Sequence, residues 1–183
     1  MLLTGRPGIG KTTVIMRFLQ RVPSRRCRGF YTQECRDGSR RVGFLVITLT
    51  GDCTLFAHEA FPRRYTVGKY GVDVEAFEDL VLPELEAQGE AVDLIILDEI
   101  GKMESLSLRF QKAVWQVLDG PVPVLGTIPL RGGGPFIERV RVRSDVTLWP
   151  VTPDNRDALP RQLEEQFAAW WSRGVEPREG GTP

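Results

Sequence analysis

The chain has 183 residues, a length that fits one domain with a substantial core. Its 42% hydrophobic and 26% charged residues are ordinary for a soluble globular protein, and no apolar run approaches the length of roughly 20 residues needed to span a bilayer. Lys plus Arg equals Asp plus Glu at 24 each, a balance that argues against a chain whose main work is coating nucleic acid.

In chain order, a short apolar start at Leu2-Leu3-Thr4 predicts a brief first strand, ended by Gly5. A helix is expected over residues 11–21, with Val14, Ile15, Phe18 and Leu19 inward and Pro23 as its stop. Residues 28–34 and 41–50 read as β segments, and Asp37-Gly38-Ser39 between them suggests a hairpin. A third short strand is expected over residues 54–58. Asp73 is placed to cap a helix carrying Val74, Phe77, Val81 and Leu85, with a kink expected at Pro83. Residues 92–97 form an apolar run suited to a strand buried on both faces. A helix with Leu106, Phe110, Ala113, Val114 and Val117 follows, then strands over residues 121–128 and 146–149. The last helix is expected over residues 161–171, with Pro160 at its start.

Strands alternating with helices imply an α/β fold: a mainly parallel sheet flanked by helices, with an inserted β-hairpin region. The expected domain covers residues 1–173. The Gly- and Pro-rich tail, residues 174–183, is expected to be disordered. Cys27, Cys35 and Cys53 offer neither a disulfide framework nor zinc spacing, and the opening residues lack the features of a secretory signal. A cytoplasmic protein with reduced thiols is expected, and a monomer. The single histidine, His58, reads as an ordinary residue.

Gly5-Arg6-Pro7-Gly8-Ile9-Gly10-Lys11-Thr12 matches the Walker A pattern G-x-x-x-x-G-K-[ST] between a strand and a helix, with Thr13 next. The glycines let backbone N–H groups converge on phosphates, and the helix start adds its positive end. Lys11 should reach the β- and γ-phosphates, and Thr12 should offer its hydroxyl to Mg²⁺. Downstream, Leu94-Ile95-Ile96-Leu97-Asp98-Glu99 is an apolar strand ending in two carboxylates, a Walker B pattern. Asp98 is the expected Mg²⁺ ligand, and Glu99 the group that activates the attacking water. Thr127 ends the neighbouring strand, where a polar residue could sense the γ-phosphate.

These stretches resemble one family. L-L-T-G-R-P-G-I-G-K-T-T, R-G-F-Y-T-Q-E, R-V-G-F, V-G-K-Y-G-V-D, I-L-D-E-I-G-K-M-E, V-L-G-T-I-P and N-R-D lie, in family order over residues 2–157, as in the cancer-related or thermostable nucleoside-triphosphatases. The resemblance implies a RecA-like P-loop domain. It also implies slow, Mg²⁺-dependent hydrolysis of ATP, GTP, CTP and UTP to diphosphate and phosphate, with little choice of base. Nucleotide binding carries over to the Walker A loop and to Ile95, Ile96, Leu97, Asp98, Glu99, Ile100, Gly101 and Lys102. One departure is the very short first strand, whose edge pairing is expected to be weak; another is the glycine loop at residues 131–134.

A second cation on the transferring phosphate is sought first at Lys102, then at Arg131 and Lys69. Arg156 is placed to stack on a base, which suits broad base tolerance. Phe30 and Tyr31, beside Gln33 and Glu34, could line the site or belong to the core. The arginine groups at residues 25–28, 40–41, 63–64 and 139–143 leave nucleic acid as an unsupported partner. Two other functions fit a P-loop: a small-molecule kinase with residues 131–143 as lid, and a nucleotide-dependent switch that docks RNA or protein.

Overall fold

The computed structural model describes residues 1–86 and 91–172. The tail read as disordered lies outside them.

One nine-stranded sheet organises the chain. Its strands are β1 (Leu2–Gly5), β2 (Cys27–Asp37), β3 (Arg40–Thr48), β4 (Cys53–His58), β5 (Thr66–Val67), β6 (Tyr70–Val72), β7 (Leu94–Asp98), β8 (Val124–Pro129) and β9 (Leu148–Pro150). Its order is β5-β6-β4-β3-β2-β7-β8-β1-β9. The half from β2 to β9 is parallel throughout, and the half from β2 to β5 is antiparallel. This is the mainly parallel sheet with an inserted hairpin region that the alternation of elements implies. The hairpin turns where expected, with Asp37 paired to Arg40.

Helices cover both faces. α1 (Lys11–Leu19) and α5 (Leu159–Ser172) share one; α2 (Val74–Glu86), α3 (Leu108–Asp119) and the short α4 (Pro135–Arg141) cover the other. The alternation of side chains along a strand divides the core accordingly. Ile95 and Leu97 enter the layer under α2 and α3, whereas Leu94 and Ile96 enter the layer under α1 and α5. The first layer centres on Phe77, whose ring lies 5.7, 4.7 and 5.1 Å from those of Phe30, Phe56 and Phe110. Phe77→Ala is expected to lower the unfolding free energy by about 3–5 kcal/mol, as measured by urea denaturation, because all three neighbours lose a packing partner at once.

Local signals start two of the helices, at Asp73 as read from the sequence and at Ser107, which the reading did not single out. The Asp73 carboxylate accepts from Ala76 N (3.0 Å), and Ser107 Oγ accepts from Phe110 N (2.8 Å). Leu106 falls in a separate 3₁₀ turn, Glu104–Leu106, ahead of α3.

Two expectations need correction, and one stretch gains a structure. β1 is short, but it is no edge strand: it lies between β8 and β9, and all four of its residues are buried. Residues 131–143 are no open loop, since α4 buries Phe136, Ile137 and Val140. The V-G-K-Y-G-V stretch is a small hairpin, β5–β6, at the far edge of the sheet.

Candidate active site

The site is assembled at the carboxyl edge of the parallel strands, where open α/β sheets hold ligands. β1, β8 and β7 all end there. Gly5 pairs with Pro129, and Leu97 with Gly126, which leaves Thr127 beside Asp98.

Leaving β1, the chain turns through Arg6-Pro7-Gly8, with Ile9 N donating to Arg6 O (3.2 Å). Gly8 and Gly10 take φ of 75° and 104°, a region that side chains avoid, and this curls the loop back onto the start of α1. Gly10 stands at the N-cap and supplies no side-chain bond, so the first N–H groups of α1 keep their capacity to bind an anion. Arg6, Pro7 and Gly8 are exposed, while Lys11 and Thr12 are half-buried.

One strand away, Asp98 is 1% exposed. Thr127 Oγ1 donates to its Oδ1 (2.6 Å), and its Oδ2 has no hydrogen-bond partner. Burial pushes this carboxyl up to about 6, against the pull of the Thr12 and Thr127 hydroxyls; the neighbouring Glu99 adds to the rise and Lys11 opposes it. A buried carboxylate with an orphaned oxygen next to a threonine hydroxyl is a donor set suited to a hard divalent cation. The Asp98–Glu99 peptide is cis. Glu99 Oε2 lies 3.7 Å from Lys11 Nζ, so the phosphate loop and the acidic strand end meet.

Residues 1–164 match the family model described as NTPase. The chain belongs to the nucleoside-triphosphatase family. It is 39% identical over 163 residues to nucleoside-triphosphatase THEP1 of Thermotoga maritima, covering 89% of this chain and 92% of that one. It is 42% identical over 173 residues to the cancer-related nucleoside-triphosphatase of Homo sapiens, covering 87% and 91%. The crystal structure of THEP1 from Aquifex aeolicus superposes with a TM-score of 0.83 at 37% identity, covering 91% of this chain and 98% of that one. The family resemblance and the fold read from the motifs are thereby borne out.

Around this candidate site of the nucleoside-triphosphatase chain the other residues separate. Thr127 is fully buried against Asp98. Ile95, Ile96, Leu97 and Ile100 place their side chains in the core, and Gly101 is buried, which leaves Asp98, Glu99 and the exposed Lys102 as the polar candidates of this stretch. Arg156 lines a depression of about 270 Å³ with Gly8, Ile9, Gly10, Thr13 and Arg17. Arg17, which the sequence reading passed over, is paired there with Asp157 (2.8 Å). A larger cavity, about 410 Å³, lies at Arg28, Glu84 and Val117, apart from the phosphate loop.

Lys69 is committed elsewhere, donating to Glu59 (3.2 Å) and to Arg41 O (2.9 Å). Phe30 is core; Tyr31 pairs with Asp98 across the β2–β7 ladder. Gln33 is exposed, and Glu34 is held below the usual carboxylate range, chiefly by the Arg41 guanidinium. His58 Nδ1 accepts from Ala60 N (3.1 Å), a local turn contact.

Thr127→Val keeps the shape and removes the hydroxyl that Asp98 Oδ1 accepts from. A loss of about 1–3 kcal/mol of stability is expected by thermal denaturation.

Proposed function

We propose that this chain hydrolyses nucleoside 5′-triphosphates to diphosphate and phosphate, slowly, with Mg²⁺ and with little preference among bases. The observation that carries the reading is the 3.7 Å approach of Lys11 and Glu99, with buried Asp98 beside them. The triphosphate lies along the loop from Gly5 to Thr13, its charge met by backbone N–H groups and by Lys11. Thr12 and Asp98 are the residues that would hold the divalent cation, whose charge would offset that of the phosphates. Glu99 takes a proton from the attacking water, and the bond from the γ-phosphorus to the bridging oxygen breaks. Arg156 offers a flat guanidinium to any base, which suits broad tolerance. Lys102, exposed at the strand end, is the cation nearest in sequence to stabilise the transferring phosphate.

The kinase reading loses its lid. Arg141 is tied to the carbonyls of Pro129 (2.6 Å) and Leu130 (3.1 Å), and Arg143 to Asp119 and Asp145. Arg139 lies over Trp115. Some of the arginines that invite nucleic acid are paired with carboxylates: Arg40 meets Glu59, Arg41 meets Glu34, and Arg28 meets Glu84. The three cysteines are free, which fits a reducing cytoplasm. No described helix is long and apolar enough to cross a membrane.

Phosphate release from the four common triphosphates, with and without Mg²⁺ and with no acceptor present, tests the assignment. Metal-dependent release at comparable rates from all four is expected. Release that appears only when a hydroxyl or phosphate acceptor is added would reinstate the kinase.

A further inference from the structure

We propose that the Arg17–Asp157 pair reads the edge of the nucleotide base, and that its two opposite hydrogen-bonding characters let one site accept four bases. The inference rests on the reading above and adds two residues to it.

The pair stands where a base has to lie. β9 runs beside β1, with Thr4 opposite Pro150, so the segment after β9 emerges next to the phosphate loop. That segment is pinned. Asn155 Oδ1 accepts from Thr152 N (2.8 Å), and Asn155 Nδ2 donates to Pro150 O (2.9 Å). Arg156 N donates to Thr152 O (3.1 Å), and Leu159 N to Asn155 O (3.0 Å). Arg156 and Asp157 are therefore presented by a fixed turn. Facing them, Thr13 and Arg17 are exposed and four residues apart on α1, so they lead away from the loop along one side of the helix. These residues, with Gly8 and Gly10, line the depression of about 270 Å³. It is smaller than the range of about 300–1,000 Å³ usual for a whole small-molecule site. With phosphates on the loop, it is the space left for sugar and base.

Arg17 Nη1 donates to Asp157 Oδ1 at 2.8 Å, in an ion pair whose side chains are 55% and 76% exposed. A pair this exposed adds about 0–1 kcal/mol to stability, so the fold does not depend on it. The contact joins one nitrogen to one oxygen. Arg17 keeps further N–H donors, and Asp157 Oδ2 keeps its capacity to accept.

A donor beside an acceptor is what the four bases require between them. Adenine and cytosine carry an amino group at the 6- and 4-positions, whereas guanine and uracil carry a carbonyl oxygen there. The amino groups donate to Asp157, and the carbonyl oxygens accept from Arg17. Among the described residues no aromatic ring lines the depression, and Ile9 and Val14 are its only aliphatic side chains. No tight slot selects a ring by shape. With Arg156 against the face of the base, the edge pair does not select either, because one of its members always fits.

The test measures phosphate release from ATP, CTP, GTP and UTP, beside isothermal titration with ADP, CDP, GDP and UDP, for the parent, Arg17→Met and Asp157→Ala. Comparing nucleotides within one variant cancels any general loss of charge beside the phosphates. Arg17→Met is expected to raise KM about 5-fold more for GTP and UTP than for ATP and CTP. Asp157→Ala is expected to do the reverse, each split being the worth of about one hydrogen bond. Diphosphate affinities should split in the same two directions, with kcat changed by about 2-fold or less. Equal effects on all four nucleotides, the mark of a purely structural pair, would overturn the proposal, as would no effect in either variant. A split in diphosphate binding without phosphate release from any triphosphate would sink the hydrolase reading alone. Release from all four without a split would sink this inference alone.

Discussion

Glu99→Gln is expected to keep triphosphate affinity and to lose phosphate release by about 10²- to 10⁴-fold, the range for removing a positioned general base. That corresponds to about 3–5 kcal/mol of transition-state stabilisation. The substitution is nearly isosteric, so the carbonyl oxygen still accepts a hydrogen bond while the capacity to take a proton is gone. The Lys11–Glu99 pair does not offset this loss. At 3.7 Å, with Glu99 32% exposed at its side chain, the pair is worth about 0–1 kcal/mol. Losing it frees Lys11, so binding should hold or tighten slightly. Equilibrium binding of a fluorescent triphosphate beside phosphate release measures both halves. Turnover within about threefold of the parent would remove Glu99 from the chemistry.

Lys11→Ala has the opposite signature. Truncating the charged partner of a half-buried phosphate contact costs about 2–5 kcal/mol, so affinity should drop by about 30-fold to several thousand-fold. The backbone N–H groups of the loop remain, and they alone do not neutralise a triphosphate. Folding should be little affected, because the one ion pair lost is the weak contact to Glu99. Isothermal titration of parent and variant with one triphosphate in Mg²⁺ measures the change, and a thermal melt confirms that the fold survives. Unchanged affinity would mean that the nucleotide sits away from the loop.

The two variants rely on features that are local in the chain, which is why they were legible. The phosphate loop is a run of eight residues whose geometry follows from its own glycines, and Asp98-Glu99 ends an apolar strand next to it in space. The cap at Asp73 and the turn at Asp37-Gly38-Ser39 are equally short-range. Position in the sheet is not. Nothing in Leu2-Leu3-Thr4-Gly5 shows that β1 lies between β8 and β9, because parallel neighbours meet only through long crossovers. Lys69 looked as free as Lys102 until the fold brought Glu59 and the Arg41 carbonyl to it.

α4 did carry a signal. Phe136, Ile137 and Val140 are at helical spacing behind Pro135, but the three glycines and four arginines around them read as a loop. Glu104 ends the I-L-D-E-I-G-K-M-E stretch, and its burial is a product of tertiary packing that the stretch alone does not show.

A crystal structure with a non-hydrolysable triphosphate and Mg²⁺ bears most directly on the shared site. It should show the γ-phosphate about 3 Å from Lys11 Nζ, the cation between Thr12 and the phosphates on the Asp98 side, and Glu99 one water molecule away from the phosphorus. Triphosphate density elsewhere, or a Glu99 carboxylate turned away into solvent with the nucleotide bound, would contradict the account.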